Sequence, residues 1–288
     1  MSQAAYHLHA PIRRETCVVF ASPHSSCDYP PAFLERALPD ALAIRSSEDA
    51  FVDRLFETAP AHGAPLLLAG APRAYVDLNR SADELDPALI EGARHHGHNP
   101  RIASGLGVIP RVVAGGRAIY DGKIGAAEAR KRIDMYWRPY HAALAAEMNA
   151  AHRAFGRAIL IDCHSMPHEA LDGSVRSGAR RPDVVLGDRF GASASREVIE
   201  RIEAAFLRVG LNVARNTPFA GAYIAQTYGR PPRGRHAVQI EIDRALYMDE
   251  RTVTPRADFD AFHSLMKDVI AELAAIGRPA MRMPLAAE

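Results

Sequence analysis

His24 follows the apolar run CVVFA, His164 follows AILIDC, Asn79 and Arg80 end the stretch VDLNR, and Glu241 lies inside HAVQIEI. Each has an ordinary use. A loop histidine can bond a neighbouring backbone group, an arginine can be a solvated charge, and a strand glutamate can face water. Together they permit more. Two neutral imidazoles and a carboxylate, with one position left for water, are what a catalytic zinc needs. Such a metal lowers the pKa of its water to about 7 and polarises a carbonyl oxygen. A separate carboxylate can collect the water's proton and pass it to a leaving nitrogen. An arginine beside an asparagine suits a substrate carboxylate, because the guanidinium fork matches it. These requirements describe hydrolysis of an amide in an acidic N-acyl compound, which the residue types permit without showing it.

The elements that must position these residues are those of an α/β protein. Short β-rich runs predict strands at Cys17–Ala21, Pro65–Ala69, Ala74–Leu78, Ala158–Asp162, Asp183–Leu186 and His236–Ile242. Helical patterns lie between and after them, at Ala126–Arg153, Ser193–Val209 and Asp258–Ile276. The last recurs at three- and four-residue steps through Phe259, Phe262, Leu265, Met266, Ile270 and Leu273. Near-continuous apolar strands between helices predict a mixed, mostly parallel sheet with helices on both faces. Glycine- and proline-rich loops at 92–122 and 227–235 bring no shift in composition, so one domain over 1–288 is expected. In such sheets ligands bind beyond the carboxyl ends of the strands. His24, Asn79, Arg80 and His164 follow predicted strands, and with Glu241 they should meet along one edge.

Composition limits the partners. A formal net charge of +1 gives no reason to expect nucleic acid or an anionic membrane, and the expected partner is a small acidic N-acyl compound. There is no apolar stretch of spanning length. The start, MSQAAYHLHAPIRRET, lacks the apolar core of a signal peptide, which makes a cytoplasmic location the expectation. Cys17, Cys27 and Cys163 show no CxxC spacing, against a disulfide framework or a structural zinc knot. Oligomeric state is left open.

The ordered set PHSS from Pro23, VDLNR from Val76, DCHSMP from Asp162 and HAVQIEIDRALYM from His236 resembles the N-formylglutamate amidohydrolase family, from about Thr16 to Glu250. Any one box is weak and the order is the strong signal. That family is similar in fold and mechanism to zinc carboxypeptidases and aspartoacylases. The resemblance implies a zinc-exopeptidase-like fold and one Zn2+ per chain, with His24 and His164 as ligands. It also implies Arg80 with Asn79 as the carboxylate-binding pair and Glu241 as general base. The implied reaction is hydrolysis of N-formyl-L-glutamate or a related N-acyl amino acid, as part of amino-acid degradation. Two departures bear on this. Ser26 stands where the family often has glycine, and Cys27 occupies the position of the peptidase-like HxxE acid, so a substrate other than formylglutamate itself stays open.

The third ligand must therefore come from elsewhere, and Asp28, Glu48 and Asp49 are the candidates. SSEDAFVDRLFETA is similar to a family stretch with an acidic residue before a helix, which favours Asp49 with Glu48 as rival. Either could instead simply sit at the positive end of that helix. Asp162 is expected to orient an imidazole. Ser165 lacks the G-x-S-x-G elbow of a nucleophile. GAYIAQTYGRPPRGRH is similar to a family stretch before the glutamate box, which offers Tyr223, Thr227 and Arg230 to substrate. The alternative is a surface loop stiffened by Pro231-Pro232. His95, His96 and His98 read as an exposed cluster more than as a second metal site. Two further readings compete. A manganese ureohydrolase needs D-x-H-x-D, but Met166 stands two residues beyond His164. A catalytically silent protein that binds an acidic ligand is excluded by nothing in the sequence.

Overall fold

The computed structural model describes residues 4–94, 99–172 and 180–279. Its centre is a seven-stranded sheet in the order β1-β3-β2-β4-β7-β5-β6. The strands are β1 Tyr6–His9, β2 Val18–Ser22, β3 Leu66–Ala69, β4 Ala158–Met166, β5 Val184–Gly187, β6 Val213–Arg215 and β7 Arg235–Asp243. The pairings β3-β2, β2-β4, β4-β7 and β5-β6 are parallel, while β1-β3 and β7-β5 are antiparallel. The mixed, mostly parallel sheet expected from the sequence is the one observed.

Two layers of apolar packing cover it. On one face, Val18, Phe20, Ile159, Ile161, Val238 and Ile240 pack against the helices Arg196–Arg208 and Phe259–Ile276. The first of these helices starts on Ser195, whose hydroxyl accepts from Val198 N. On the other face, Val19, Ala21, Leu67, Leu160 and Ala237 pack against the helix Arg138–Phe155 and the loops around it. The expected helix Ala126–Arg153 is three helical segments in series: Ala126–Arg132, a π turn over Ile133–Trp137, and Arg138–Phe155. Pro139 has no N–H to give and crowds the carbonyl of the preceding turn. Just before it the chain widens, and Arg138 N–H donates five residues back to Ile133 O.

The strand expected at Ala74–Leu78 does not form. Ala74, Val76 and Leu78 are buried as a strand would bury them, but among the described residues the segment pairs with no strand. Pro72 turns the chain, its carbonyl accepts from Tyr75 N and Val76 N, and Asp77 N donates to Val108 O. β1 and β6 have no counterpart in the sequence reading. They are a largely exposed edge strand and a half-buried three-residue strand, too polar or too short to carry a periodic signal. The loop region before β7 likewise contains a helix, Tyr223–Tyr228.

Candidate active site

Alternation along β4 and β7 places the chemistry. On β4, Ala158 and Leu160 belong to the apolar layer beneath the Arg138–Phe155 helix, and the next residues of the same parity are Asp162 and His164. On β7, Ala237 is followed in the same way by Gln239 and Glu241. The register pairs Asp162 with Gln239 and His164 with Glu241. One face of the sheet therefore changes from apolar to polar toward the carboxyl ends of two neighbouring strands. The strand β4 runs through Met166, so His164 lies within it and not beyond it. β2 ends one strand away at Ser22, and His24 arrives from the loop that follows.

His24, Asp49 and His164 form one buried group whose ligand atoms all lie within 4.8 Å of one another. Asp49 Oδ2 stands 2.9 Å from His164 Nδ1 and 3.5 Å from His24 Nδ1. The two rings are 4.9 Å apart, centre to centre. The far nitrogen of each ring meets another carboxylate, at 2.8 Å for His24 Nε2 on Asp77 Oδ1 and 3.1 Å for His164 Nε2 by Asp162 Oδ1. Asp49 is brought in by its own backbone. Its N–H donates to His24 O, and two residues later Phe51 takes a left-handed conformation, φ 66°, that starts the short helix Val52–Leu55. The adjacent Glu48 is used elsewhere, accepting from Tyr29 Oη at 2.6 Å and from Arg45. Asp28 is exposed and outside the group.

The charges are tightly interlocked. Burial works against the Asp49 carboxylate, but His164 and His24 hold it well below the usual range. Burial also works against charge on His164, yet Asp162 and Asp49 raise its pKa well above that of a free imidazole. Asp77, despite its burial, is held low by His24 and Arg73. The other oxygen of Asp49 accepts from Arg244 Nη2 at 3.1 Å, and Arg244 Nε also donates to Ser165 Oγ. Across the ladder, Glu241 accepts from Gln239 Nε2 at 2.7 Å, and burial pushes its pKa up to about 7.

Does this group fit a metal? His24 Nδ1 is buried without a hydrogen-bond partner and points at the oxygen that His164 Nδ1 also faces. Two imidazole nitrogens and a carboxylate oxygen converge, and each imidazole has a carboxylate behind it. This is the carboxylate–histidine arrangement that orients metal-binding rings. The donor set fits zinc.

The group opens on a cavity of about 730 Å3. Its lining includes Arg73, Asn79, Arg80, Arg101, Gln239, Glu241 and Arg244, with Pro218–Ala222 as one wall. Gly187, the last residue of β5, lets that wall approach, since a Cβ there would lie 2.5 Å from Gly221 N. Asn79 is more engaged than a free substrate ligand. Its oxygen accepts from Ile224 N, and its amide donates to Gln239 Oε1 and lies 3.3 Å from His164 Nε2. Arg80 is buried, with Nε on Leu106 O and Nη1 on Asn79 O. Tyr223, Thr227 and Arg230 are not among the described residues lining the cavity. Tyr223 packs against Trp137 and His141, and Arg230 is exposed, bonded to Gln226 O and Gly229 O. His95, His96 and His98 lie outside the described residues.

Arg73, Arg101 and Arg244 line the cavity without having been expected there from the sequence. Arg244 was open to detection as an arginine directly after the HAVQIEID strand. Gln239 lies on the strand face that alternation along HAVQIEI gives it, beside Glu241.

A mixed sheet that collects its polar side chains at the carboxyl edge defines an α/β protein with its ligand cleft beyond the strand ends. Sequence similarity narrows the class. The chain belongs to the N-formylglutamate amidohydrolase family, whose model matches residues 16–248. It is 32% identical over 270 residues to an N-formylglutamate deformylase of Pseudomonas aeruginosa, covering 91% of this chain and 94% of that one. A Pseudomonas putida N-formylglutamate deformylase is 32% identical over 222 residues, covering 75% and 73%. The crystal structure of an N-formylglutamate amidohydrolase from Ralstonia eutropha superposes with a TM-score of 0.88 at 34% identity, covering 94% of this chain and 98% of that one.

Proposed function

We propose that this protein hydrolyses the formamide bond of N-formyl-L-glutamate or a related N-acyl amino acid, with one zinc ion held by His24, Asp49 and His164. The observation that carries the reading is the convergence of two imidazole Nδ1 atoms on Asp49 Oδ2, with Glu241 in register one strand away. Family membership and the curated deformylase relatives support the substrate class.

When bound, zinc would supply Lewis acidity, polarising the formyl oxygen and acidifying a water molecule. The protein's own groups do the rest. Asp77 and Asp162 fix the two rings from behind, and Arg244 offsets the charge on the far oxygen of Asp49. Arg80 grips a carboxylate of the substrate, while Asn79 braces Gln239 and the start of the Tyr223–Tyr228 helix. Glu241 takes a proton from the attacking water as its oxygen bonds to the formyl carbon. The C–N bond then breaks, Glu241 delivers the proton to the departing nitrogen, and formate and the free amine leave. A carboxyl group with a pKa near 7 suits both transfers.

Two measurements test this. The purified protein should carry about one zinc per chain and release formate from N-formyl-L-glutamate. The Glu241→Ala protein should keep the metal and lose roughly a thousandfold in kcat. Full turnover by that variant refutes the assignment of the base. Two metals per chain would point instead to a binuclear site. Thermal stabilisation by the substrate without formate release from the zinc-loaded protein would point to a silent binding protein.

A further inference from the structure

Arginines Arg73, Arg80, Arg101 and Arg244 line the cavity, and they divide into two kinds. Arg73 is paired with Asp77 at 3.1 Å, and Arg244 with Asp49 at 3.1 Å. Among the described residues, neither Arg80 nor Arg101 has a carboxylate at ion-pair distance. Among those residues, Arg80 donates to the backbone carbonyls of Leu106 and Asn79.

These two are also fastened to one another through the chain. Leu106 O accepts from Arg80 Nε at 2.9 Å, and Leu106 N donates to Arg101 O at 2.8 Å. The turn carrying Arg101 is built to stay in place. Asn99 caps the helix Pro100–Ala103 by accepting from Arg101 N and Ile102 N. Val108 N donates to Glu84 O, and Arg111 is ion-paired with the buried Asp86. Burial above all lowers the pKa of Arg80. Asp77 and Glu84 oppose that shift, while the charges of Arg73 and Arg101 add to it. The result is two guanidinium groups on the cavity, Arg80 and Arg101, that no carboxylate among the described residues meets at ion-pair distance, with Asp77 and Glu84 acting on Arg80 only from further away.

We infer that Arg80 and Arg101 form a two-point anion site that reads both carboxylates of a dicarboxylic N-acyl amino acid, with Arg101 as the residue that selects the side-chain carboxylate. Depth sets the order. Arg80 is 6% exposed, whereas Arg101 is exposed at the mouth. The reacting amide belongs at the histidine group. The α-carboxylate, attached to the carbon next to the amide nitrogen, falls to the deeper guanidinium. The side-chain carboxylate, further along the molecule, falls to the outer one. A planar guanidinium can hold either carboxylate with paired hydrogen bonds.

This assignment rests on the proposed hydrolysis, and the test separates the two. Zinc-loaded wild type and Arg101→Gln are assayed for formate release from N-formyl-L-glutamate and from N-formyl-L-glutamine, which has the same shape without the second charge. The expected result is that the wild-type preference for the glutamate substrate, as a ratio of kcat/KM values, falls about tenfold or more in Arg101→Gln, mostly through KM. A ratio that stays within about threefold of the wild type overturns the role given to Arg101. If the wild type releases no formate from either compound, the hydrolase reading fails by itself. The anion site is then tested by calorimetric binding of L-glutamate against L-glutamine to the same two proteins. Loss of the glutamate preference in Arg101→Gln supports the site, and equal preference in both proteins overturns it.

Discussion

The protein buries histidines on the same side of its sheet in two unlike settings. His24 and His164 each have a carboxylate at Nε2 and turn Nδ1 toward Asp49. His141, on the helix Arg138–Phe155, has its Nε2 on the backbone carbonyl of Leu78 and its Nδ1 against Tyr228 Oη at 3.0 Å. Trp137, Tyr140 and Tyr223 surround that third ring. Burial is nearly the same in all three, between 2% and 7% exposed, so exposure does not separate them. The partners do. Carboxylates raise the pKa of His164 well above the ordinary value, and burial without a counter-charge lowers that of His141 to about 4. A buried imidazole becomes a candidate ligand when Nε2 is held by an anion and Nδ1 is left facing other donors. When both nitrogens are capped by neutral groups, it is a packing residue.

The sharpest way to break that contrast is to truncate one ring in each setting. His164→Ala should take metal content from about one per chain to near zero and formate release to background, because it removes a ligand from a three-ligand set. His141→Gln should keep its metal and most of its turnover. If the two variants lose metal equally, the division by Nε2 partner fails.

The second prediction concerns pH. His141 stays neutral in the folded chain down to about pH 4, while in the unfolded chain it protonates near pH 6.5. Between those values the unfolded state binds more protons, so stability falls as pH falls. The contribution is fully present above about pH 6.5 and gone below about pH 4, and its size is about 3 kcal/mol. The titratable groups facing the ring are the phenols Tyr140, Tyr223 and Tyr228, none of them an anion that could hold a charged imidazole. Urea unfolding of wild type and His141→Gln, in the same metal state from pH 7 to pH 4, should therefore give converging stabilities. The variant is the weaker protein at pH 7 and has the flatter pH dependence. Parallel curves would sink the assignment of a neutral buried ring.

Particular residues show why part of this was legible in the sequence. β2, β4 and β7 are apolar runs ending in polar residues, so the strands and the histidine and glutamate at their ends could be read together. Alternation in HAVQIEI sets Gln239 and Glu241 apart from Val238, Ile240 and Ile242, and the strand puts the first two at the cavity and the other three in the apolar layer. The choice between Glu48 and Asp49 could not be made with that kind of signal. They are neighbours of like charge, and the left-handed turn at Phe51 and the hydrogen bond from Asp49 N to His24 O decide which one faces the histidines. Ala74–Leu78 misled because a buried coil and a strand bury the same positions. Arg101 gave no local sign, since its place at the cavity depends on a fold of the 99–113 loop that no periodicity records.

The finest test of the contrast changes a partner and leaves the ring. Asp77 accepts from His24 Nε2, from Asn79 N and from Arg73 Nε. Asp77→Asn keeps the shape, and its oxygen can still accept from the ring. The carboxamide brings no charge, however, and sets an N–H group against the guanidinium of Arg73. His24 then resembles His141, a ring whose Nε2 meets a neutral oxygen, and it should be a poorer ligand. Zinc affinity, measured by competition with a chromogenic chelator, should fall about 10- to 100-fold. Formate release at saturating zinc should fall far less than in Glu241→Ala, because the proton carrier is untouched. An unchanged zinc affinity would mean that the anion behind the ring serves the fold and not the ligand, and the distinction between His24 and His141 would then rest on Nδ1 alone.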